Sequence, residues 1–456
     1  MQESTMPNTM PNTMPNTMPN QQNTPPNLPP CLPQGMSIDT FLHEYWQKKP
    51  LLIKGGLPAL MGKYEPNDII ELAQCDGVNA RLIRQYPKQN PKQAQSDSPN
   101  TSDKLRCQDH HWTLDTSPLT DQHFEQLPTL WTLLVQNMEQ WSYELGEMWQ
   151  AFDFIPQWQR DDIMVSYAPV GGSVGKHFDE YDVFLAQGYG TRRWQLGKMC
   201  QVDDEFIPNQ PIRLLTDMGE IIFDQILEAG DVLYVPPKLS HYGVAMSDSL
   251  TFSFGFRRPN MMQLLDNLAD VVTDFDALDA YHASPSSLNL SSPFIMPQSA
   301  QAVGELSQDS IHVLKTNLIE WLKSEQGSAV FTQSIAELVS RRQYDLLGME
   351  NDISIDELIT LLQQGHLLKP DQNSRLIYVC HEHDNSGSRN SSGNHNNHDA
   401  HITLYANGQA LSDLTDSDIR LLKHLADGKP LSWQQLKELP TSKLKEWLDN
   451  GWVWVD

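Results

Sequence analysis

Hydrophobic positions along this chain change their period three times. A short amphipathic stretch comes first. Ser37 is placed to cap a helix carrying Phe41, Leu42, Tyr45 and Trp46, Pro50 ends it, and Leu51–Lys54 reads as a strand entering a core. Between about 161 and 258, apolar residues alternate or form short runs broken by glycine and proline. The runs are Asp162–Ala168, Asp182–Gln187, Arg192–Leu196, Ile226–Leu227, Val232–Val235 and Ser249–Phe256. Period two and frequent turn residues predict short strands in a β-sandwich or barrel. After Pro259 the period lengthens. Met262–Phe275, Ser310–Ser324 and Phe331–Leu347 carry apolar residues at i, i+3 and i+4, which predicts amphipathic helices. From about 353 onward both periods mix. Helical patterns at Ile355–Gln364, Asp416–Leu425, Trp433–Leu439 and Ser442–Asn450 stand among short strands at Leu376–Val379, His401–Tyr405 and Trp452–Val455. Helices followed by a terminal strand predict a small winged-helix-like module.

Three stretches have no period. Residues 6–20 repeat Met-Pro-Asn-Thr, and the Pro/Asn bias runs on to Pro33. Regular proline blocks helix, and nothing apolar is available for a core, so 1–35 reads as a disordered tail. Residues 87–104 are polar and proline-containing, a loop insertion. His381–Ala400 is rich in Asn, Ser and Gly, and its histidines have no fixed spacing that would favour a metal site over a solvated loop.

Composition narrows the function. Acids outnumber bases 58 to 32, for a formal charge of -26. That field repels nucleic acid and attracts basic partners. The last segment, 403–456, holds eight acids against six bases, a poor footprint for the rival reading of a nucleic-acid-binding regulator. The five cysteines are scattered, with no C-x-x-C pair, which argues against a disulfide framework or a cysteine zinc site. No basic stretch leads into an apolar run at the N-terminus, and no run is long enough for a membrane span, so a reduced cytoplasm is the expected compartment.

The strongest chemical signal is His177-Phe178-Asp179, followed by His241. Two histidines and one carboxylate hold Fe(II) on one face and leave positions open. His-x-Asp at a strand edge would point both ligands to one side, and a distant strand would bring the third. Gly171, Gly172 and Gly175 precede His177. The run Leu227–Pro237 supplies a turn, a buried strand and a stop just before His241. A 2-oxoglutarate cosubstrate needs a buried cation for its distal carboxylate, best a guanidinium. Arg192 opens a strand expected to pair with the one after Asp179, and so to face the same cavity. Arg193 is its competitor on the opposite face. Ser166 reads either as a hydroxyl for the cosubstrate or as a core serine bonded to backbone. Asp182 reads either as a partner for a basic substrate side chain or as a rim charge. Tyr181 and Tyr234 read as pocket walls or core packing.

The segments PVGGSVGKHFDEYDVFLAQGYGTRRWQLG, ILEAGDVLYVPPKLSHYG and LTFSFGFRRPN resemble the bacterial JmjC-type ribosomal oxygenases, and FLHEYWQKKPLLIKGG is similar to their N-terminal segment. The resemblance is strong over about 37–260. It implies an α+β fold: a double-stranded β-helix (cupin/JmjC) barrel over 36–260, a helical dimerisation region over 261–348, and a winged-helix domain over 349–456 with a disordered insertion at 382–400. It implies Fe(II) at His177, Asp179 and His241, with 2-oxoglutarate on Arg192 and Ser166, and O2 as the oxidant. It also implies a homodimer that hydroxylates the β-carbon of an arginine in a large-subunit ribosomal protein. Histidine hydroxylation and a non-catalytic metal-binding cupin are the rival readings. The Met-Pro-Asn-Thr tail and the two insertions depart from the family pattern.

Overall fold

The computed structural model describes residues 28–87, 110–279, 305–342, 353–381 and 401–455. Most of the N-terminal tail, the 87–104 insertion apart from Pro87, and the 382–400 insertion lie outside these residues. The tail does not extend to residue 35, however. Cys31 is fully buried, its amide donates to the Ala151 carbonyl at 2.8 Å, and Leu28 and Leu32 pack on the same core. These apolar side chains stand among prolines, which hid them from a reading based on period. The predicted cap at Ser37 is present: its Oγ accepts from the Thr40 amide at 3.1 Å.

Among the described residues eleven strands build the central body: β1 Leu51–Ile53, β2 Ala80–Pro87, β3 His110–Thr116, β4 Leu130–Val135, β5 Arg160–Ala168, β6 Asp182–Tyr189, β7 Thr191–Met199, β8 Phe223–Glu228, β9 Val232–Val235, β10 Leu239–Ala245 and β11 Ser249–Phe256. They form two sheets, not one hydrogen-bonded barrel. The larger runs β1-β9-β6-β11-β5-β4-β2-β3 and the smaller β10-β7-β8. Contrary to the sequence expectation, β6 and β7 are not paired. The turn at Gly190 carries the chain from one sheet to the other. Gly190 has φ +63°, and a Cβ there would lie 1.8 Å from the Asp248 carbonyl oxygen, so only glycine fits.

Period two in the strands sorts the side chains onto two faces. Phe184, Tyr234, Phe252, Phe254 and Phe256 face outward and pack under Phe41, Trp46 and Phe152 of the N-terminal elements. Val183, Leu185, Leu233 and Val235 face inward and meet Trp194, Leu196 and Leu227 of the smaller sheet. The inward face is therefore where a site can form between sheets.

Helix Met261–Asp279 follows the sheets and packs on helices Gln308–Lys323 and Glu325–Ser340 through Val271, Trp321 and Val330. The last of these ends at residue 340, short of the predicted 347. The C-terminal module has its own core around Leu358, Leu422, Leu431, Trp447 and Val453. Strand Leu368–Pro370 pairs with the terminal strand Val453–Val455, and Leu376–His381 forms a hairpin with His401–Ala406. No described helix is long and apolar enough to cross a membrane.

Candidate active site

His177 and Asp179 do not sit on a strand. They lie in the loop between β5 and β6, while His241 lies within β10, the strand that follows β9 and its Pro236-Pro237 stop. A reciprocal pair of backbone bonds joins the two histidines instead. The His177 amide donates to the His241 carbonyl at 3.1 Å, and the His241 amide donates to the His177 carbonyl at 2.8 Å. Asp179 is fixed in the same way, its carbonyl accepting from the Lys238 amide at 2.7 Å. The glycines before His177 serve this loop. Gly175 has φ +84°, and a Cβ there would lie 2.3 Å from Leu214 Cδ2.

One ligand atom from each of His177, Asp179 and His241 falls within 4.8 Å of the others, and among the described residues this is the only such group. His177 Nδ1 lies 3.0 Å from the Gly175 carbonyl oxygen, and His241 Nδ1 lies 2.9 Å from that of Leu239. A carbonyl only accepts, so each Nδ1 carries the proton and each Nε2 keeps its lone pair. Burial first, and the neighbouring His241 second, push His177 down to about 4, so its imidazole is neutral. Burial works against the Asp179 carboxylate, yet His241, whose Nε2 lies 3.5 Å from Oδ2, and the nearby His177 and Arg81 hold it below its usual range. Two imidazole nitrogens and a carboxylate oxygen are the donor set of a facial Fe(II) site.

Arg192 stands deeper in the same cavity. It is 1% exposed, and burial pushes its guanidinium down to about 10. Nη1 donates to Ser166 Oγ at 2.7 Å and reaches Thr251 Oγ1 at 3.4 Å, while Nε has no partner. No carboxylate among the described residues pairs with it. A buried guanidinium held by hydroxyls alone is a receptor for an anion. Its competitor Arg193 is spent on a two-pronged ion pair with Asp224, at 2.7 and 2.6 Å. Gly243 makes room for Arg192: a Cβ there would lie 2.9 Å from Arg192 Nε and 2.7 Å from the Trp194 ring.

Sequence reasoning missed Thr251, which donates to Gln187 Oε1 at 2.9 Å, and Gln187, which donates in turn to Ser249 Oγ at 3.0 Å. The signal for them was two polar residues at inward positions of otherwise apolar strands. Asp182 is a correction. It is fully buried on the outward face, accepts from Tyr234 Oη at 2.6 Å and from Gln47 Nε2 at 3.4 Å, and so points away from the cavity. Its neighbour Tyr181 lies at the site, where Asp179, then burial, raise its phenol well above the usual value.

A family model described as a JmjC domain matches residues 147–264, and one described as a ROXA-like winged helix matches 321–452. A protein of Haemophilus influenzae called probable ribosomal oxygenase is 41% identical over 436 residues, covering 92% of this chain and 96% of that protein. The ribosomal protein uL16 3-hydroxylase of Escherichia coli is 30% identical over 331 residues, covering 72% of this chain and 78% of its own. The solved structure of YcfD, a ribosomal oxygenase from Escherichia coli in complex with cobalt and succinic acid, has a TM-score of 0.66 at 25% identity, covering 92% of this chain and 99% of that one.

Proposed function

Since the chain belongs to the JmjC-type ribosomal oxygenases, which use Fe(II), 2-oxoglutarate and O2, we propose that it hydroxylates the β-carbon of an arginine in a large-subunit ribosomal protein. The bound iron with 2-oxoglutarate supplies the oxidising chemistry that places one oxygen atom into a C–H bond. His177, Asp179 and His241 hold the metal through two Nε2 atoms and a carboxylate oxygen. Their backbone bonds keep the three donors converged before the ion arrives. Arg192, steadied by Ser166, binds the far carboxylate of 2-oxoglutarate. Tyr181 lines the approach beside Asp179.

The observation that carries arginine as the target is the carboxyl of Asp162. It shares the inward face of β5 with Met164 and Ser166. Burial, then Glu139 and Asp161 beside it, push it well above the usual carboxylate range. Arg257 offsets this only in part, and a substrate guanidinium brings a further positive charge at any working pH. The net charge of -26 attracts a basic ribosomal protein.

Mass spectrometry tests this directly. The protein is incubated with Fe(II), 2-oxoglutarate and an arginine-bearing peptide of that ribosomal protein. The expected product is the peptide heavier by one oxygen at the arginine, with succinate formed alongside. Oxygen found only on a histidine peptide would overturn the arginine reading.

The helical region is read as the surface for a second copy. Met262, Leu265, Ile311 and Leu318 are exposed on two of its helices, with Met262 at 75%. Light scattering is expected to give a dimer, and Leu265→Glu with Leu318→Glu a monomer. An unchanged mass would exclude this face. The cytoplasm follows as the compartment from a ribosomal substrate, and the acidic C-terminal module is not read as a DNA reader.

A further inference from the structure

Strand β5 is held differently at its two ends. Toward residue 168 it is paired on both sides, with β11 from Ile163 to Ala168 and with β4 at Val165, Ser166 and Tyr167, whereas the β11 register shifts at Asp161 and Asp162. Over 161–163 the β4 side has no partner strand. Three groups from other parts of the chain take its place. The buried Glu139 carboxylate accepts from the Ile163 amide at 2.9 Å. The Asn137 amide donates to Asp162 Oδ2 at 3.3 Å. Arg375, from the C-terminal module, donates through Nη2 to the Asp161 carbonyl at 3.1 Å, with Asp161 Oδ1 3.9 Å away.

The module is firmly seated for this task. The rings of Tyr143 and Trp454 stack with centroids 4.3 Å apart. Lys369 Nζ pairs with Glu147 Oε1 at 2.9 Å, and Gln372 Nε2 donates to the Tyr143 carbonyl at 3.0 Å. Arg342 donates to the Gln372 carbonyl at 3.1 Å and supplies the largest opposing charge felt by Glu139. Arg375 itself is steadied by Nη1 on the Arg341 carbonyl at 3.4 Å. Asp161 Oδ2 also meets Arg257 Nη2 at 3.4 Å.

We propose that Arg375 is a positioning residue for the ribosomal substrate, through which the C-terminal module completes the substrate end of the oxygenase pocket. This rests on the arginine reading above, because Asp162 is the carboxyl whose place it sets. The two ends of β5 then answer to different structures. Ser166, beside Arg192, depends on the sheet alone. Asp162 depends on a side chain from another domain. Loss of Arg375 therefore weakens the substrate and spares the cosubstrate.

The sign of the effect separates positioning from plain charge. Removing a cation beside an acidic rim would, by Coulomb attraction alone, tighten a basic peptide. A misplaced acceptor does the opposite, because small displacements at a binding group are costly.

The test is steady-state kinetics on the full chain with Arg375→Met and Arg375→Lys. For Arg375→Met the peptide KM is expected to rise by roughly tenfold, while kcat and the 2-oxoglutarate KM stay within about twofold of the parent. Arg375→Lys keeps the charge and part of the reach, so its peptide KM falls between the two. It also carries the test alone if Arg375→Met does not fold. A peptide KM that is unchanged or lower would overturn the proposal. So would a 2-oxoglutarate KM rising in step with the peptide KM, which marks general loosening. Failure of the arginine reading shows separately, as a parent protein that oxidises a histidine peptide and not the arginine one. The Arg375 variants are then scored on the accepted peptide by the same criteria.

Discussion

Asp179→Ala is expected to abolish hydroxylation while the protein stays folded. The carboxylate is the only anionic donor in the triad, so its loss leaves two imidazoles that hold a divalent cation weakly. It also removes the group 3.5 Å from His241 Nε2 that orients that ring toward the shared centre. The backbone bonds that shape the loop, including His177 to His241 and Lys238 to Asp179, do not involve the carboxylate and survive the change. A bound metal contributes several kcal/mol to such a reaction, so the loss in rate is at least about a thousandfold. Peptide mass spectrometry and metal content of the purified protein, read together, check this. Full activity in Asp179→Ala would remove the triad from the mechanism. Metal bound by the parent, with no succinate formed on any peptide, would leave only a binding protein.

Arg192→Met is expected to act in opposite directions on affinity and on stability. In the free protein the guanidinium is buried with two hydroxyl contacts and an unpartnered Nε, an arrangement that costs desolvation with little return. Methionine fills similar space beside Trp194, whose ring centroid lies 5.2 Å from the guanidinium carbon. The variant should therefore melt no lower than the parent, and higher if Ser166 and Thr251 rebond to each other. With 2-oxoglutarate the order reverses. Losing one partner of a buried charge pair costs about 2–5 kcal/mol, or about 30- to several-thousand-fold in affinity. Calorimetry gives the binding constant, and melting curves with and without 2-oxoglutarate give the stability. A variant that melts well below the parent and still binds 2-oxoglutarate normally would make Arg192 a structural residue. Arg192→Lys should not restore affinity, because a point charge lacks the planar fork.

Much of this architecture was legible because it rests on local pattern. The strands marked by a short buried run or by alternation, Val232–Val235 and Ser249–Phe256, have the predicted bounds. The strand pair Ala80–Pro87 and His110–Thr116 was not legible, since its two members are separated by a polar insertion and neither alternates cleanly. The three metal-binding candidates and Arg192 could be named from spacing and flanking glycines. How they converge could not, because it depends on which sheet each strand joins. A chain that crosses between sheets at Gly190 looks, residue by residue, like a hairpin. Asp182 was misread for a related reason: side-chain direction follows from strand phase, and one residue's shift turns a substrate contact into an outward-facing carboxylate. Arg375 lay beyond any local reading, 214 residues from the carbonyl it meets.

The cramped passage over Arg192 also bears on how such a chain can drift through mutation. At position 243 a side chain of any size would press on Arg192 Nε and on the Trp194 ring. A lineage that keeps the guanidinium must therefore keep the glycine, although residue 243 has no side chain to offer a ligand. Positions 192 and 243 behave as one inherited unit. A lineage that abandons the arginine frees both at once, and a glycine lost at 243 marks a descendant whose anion receptor has already been given up.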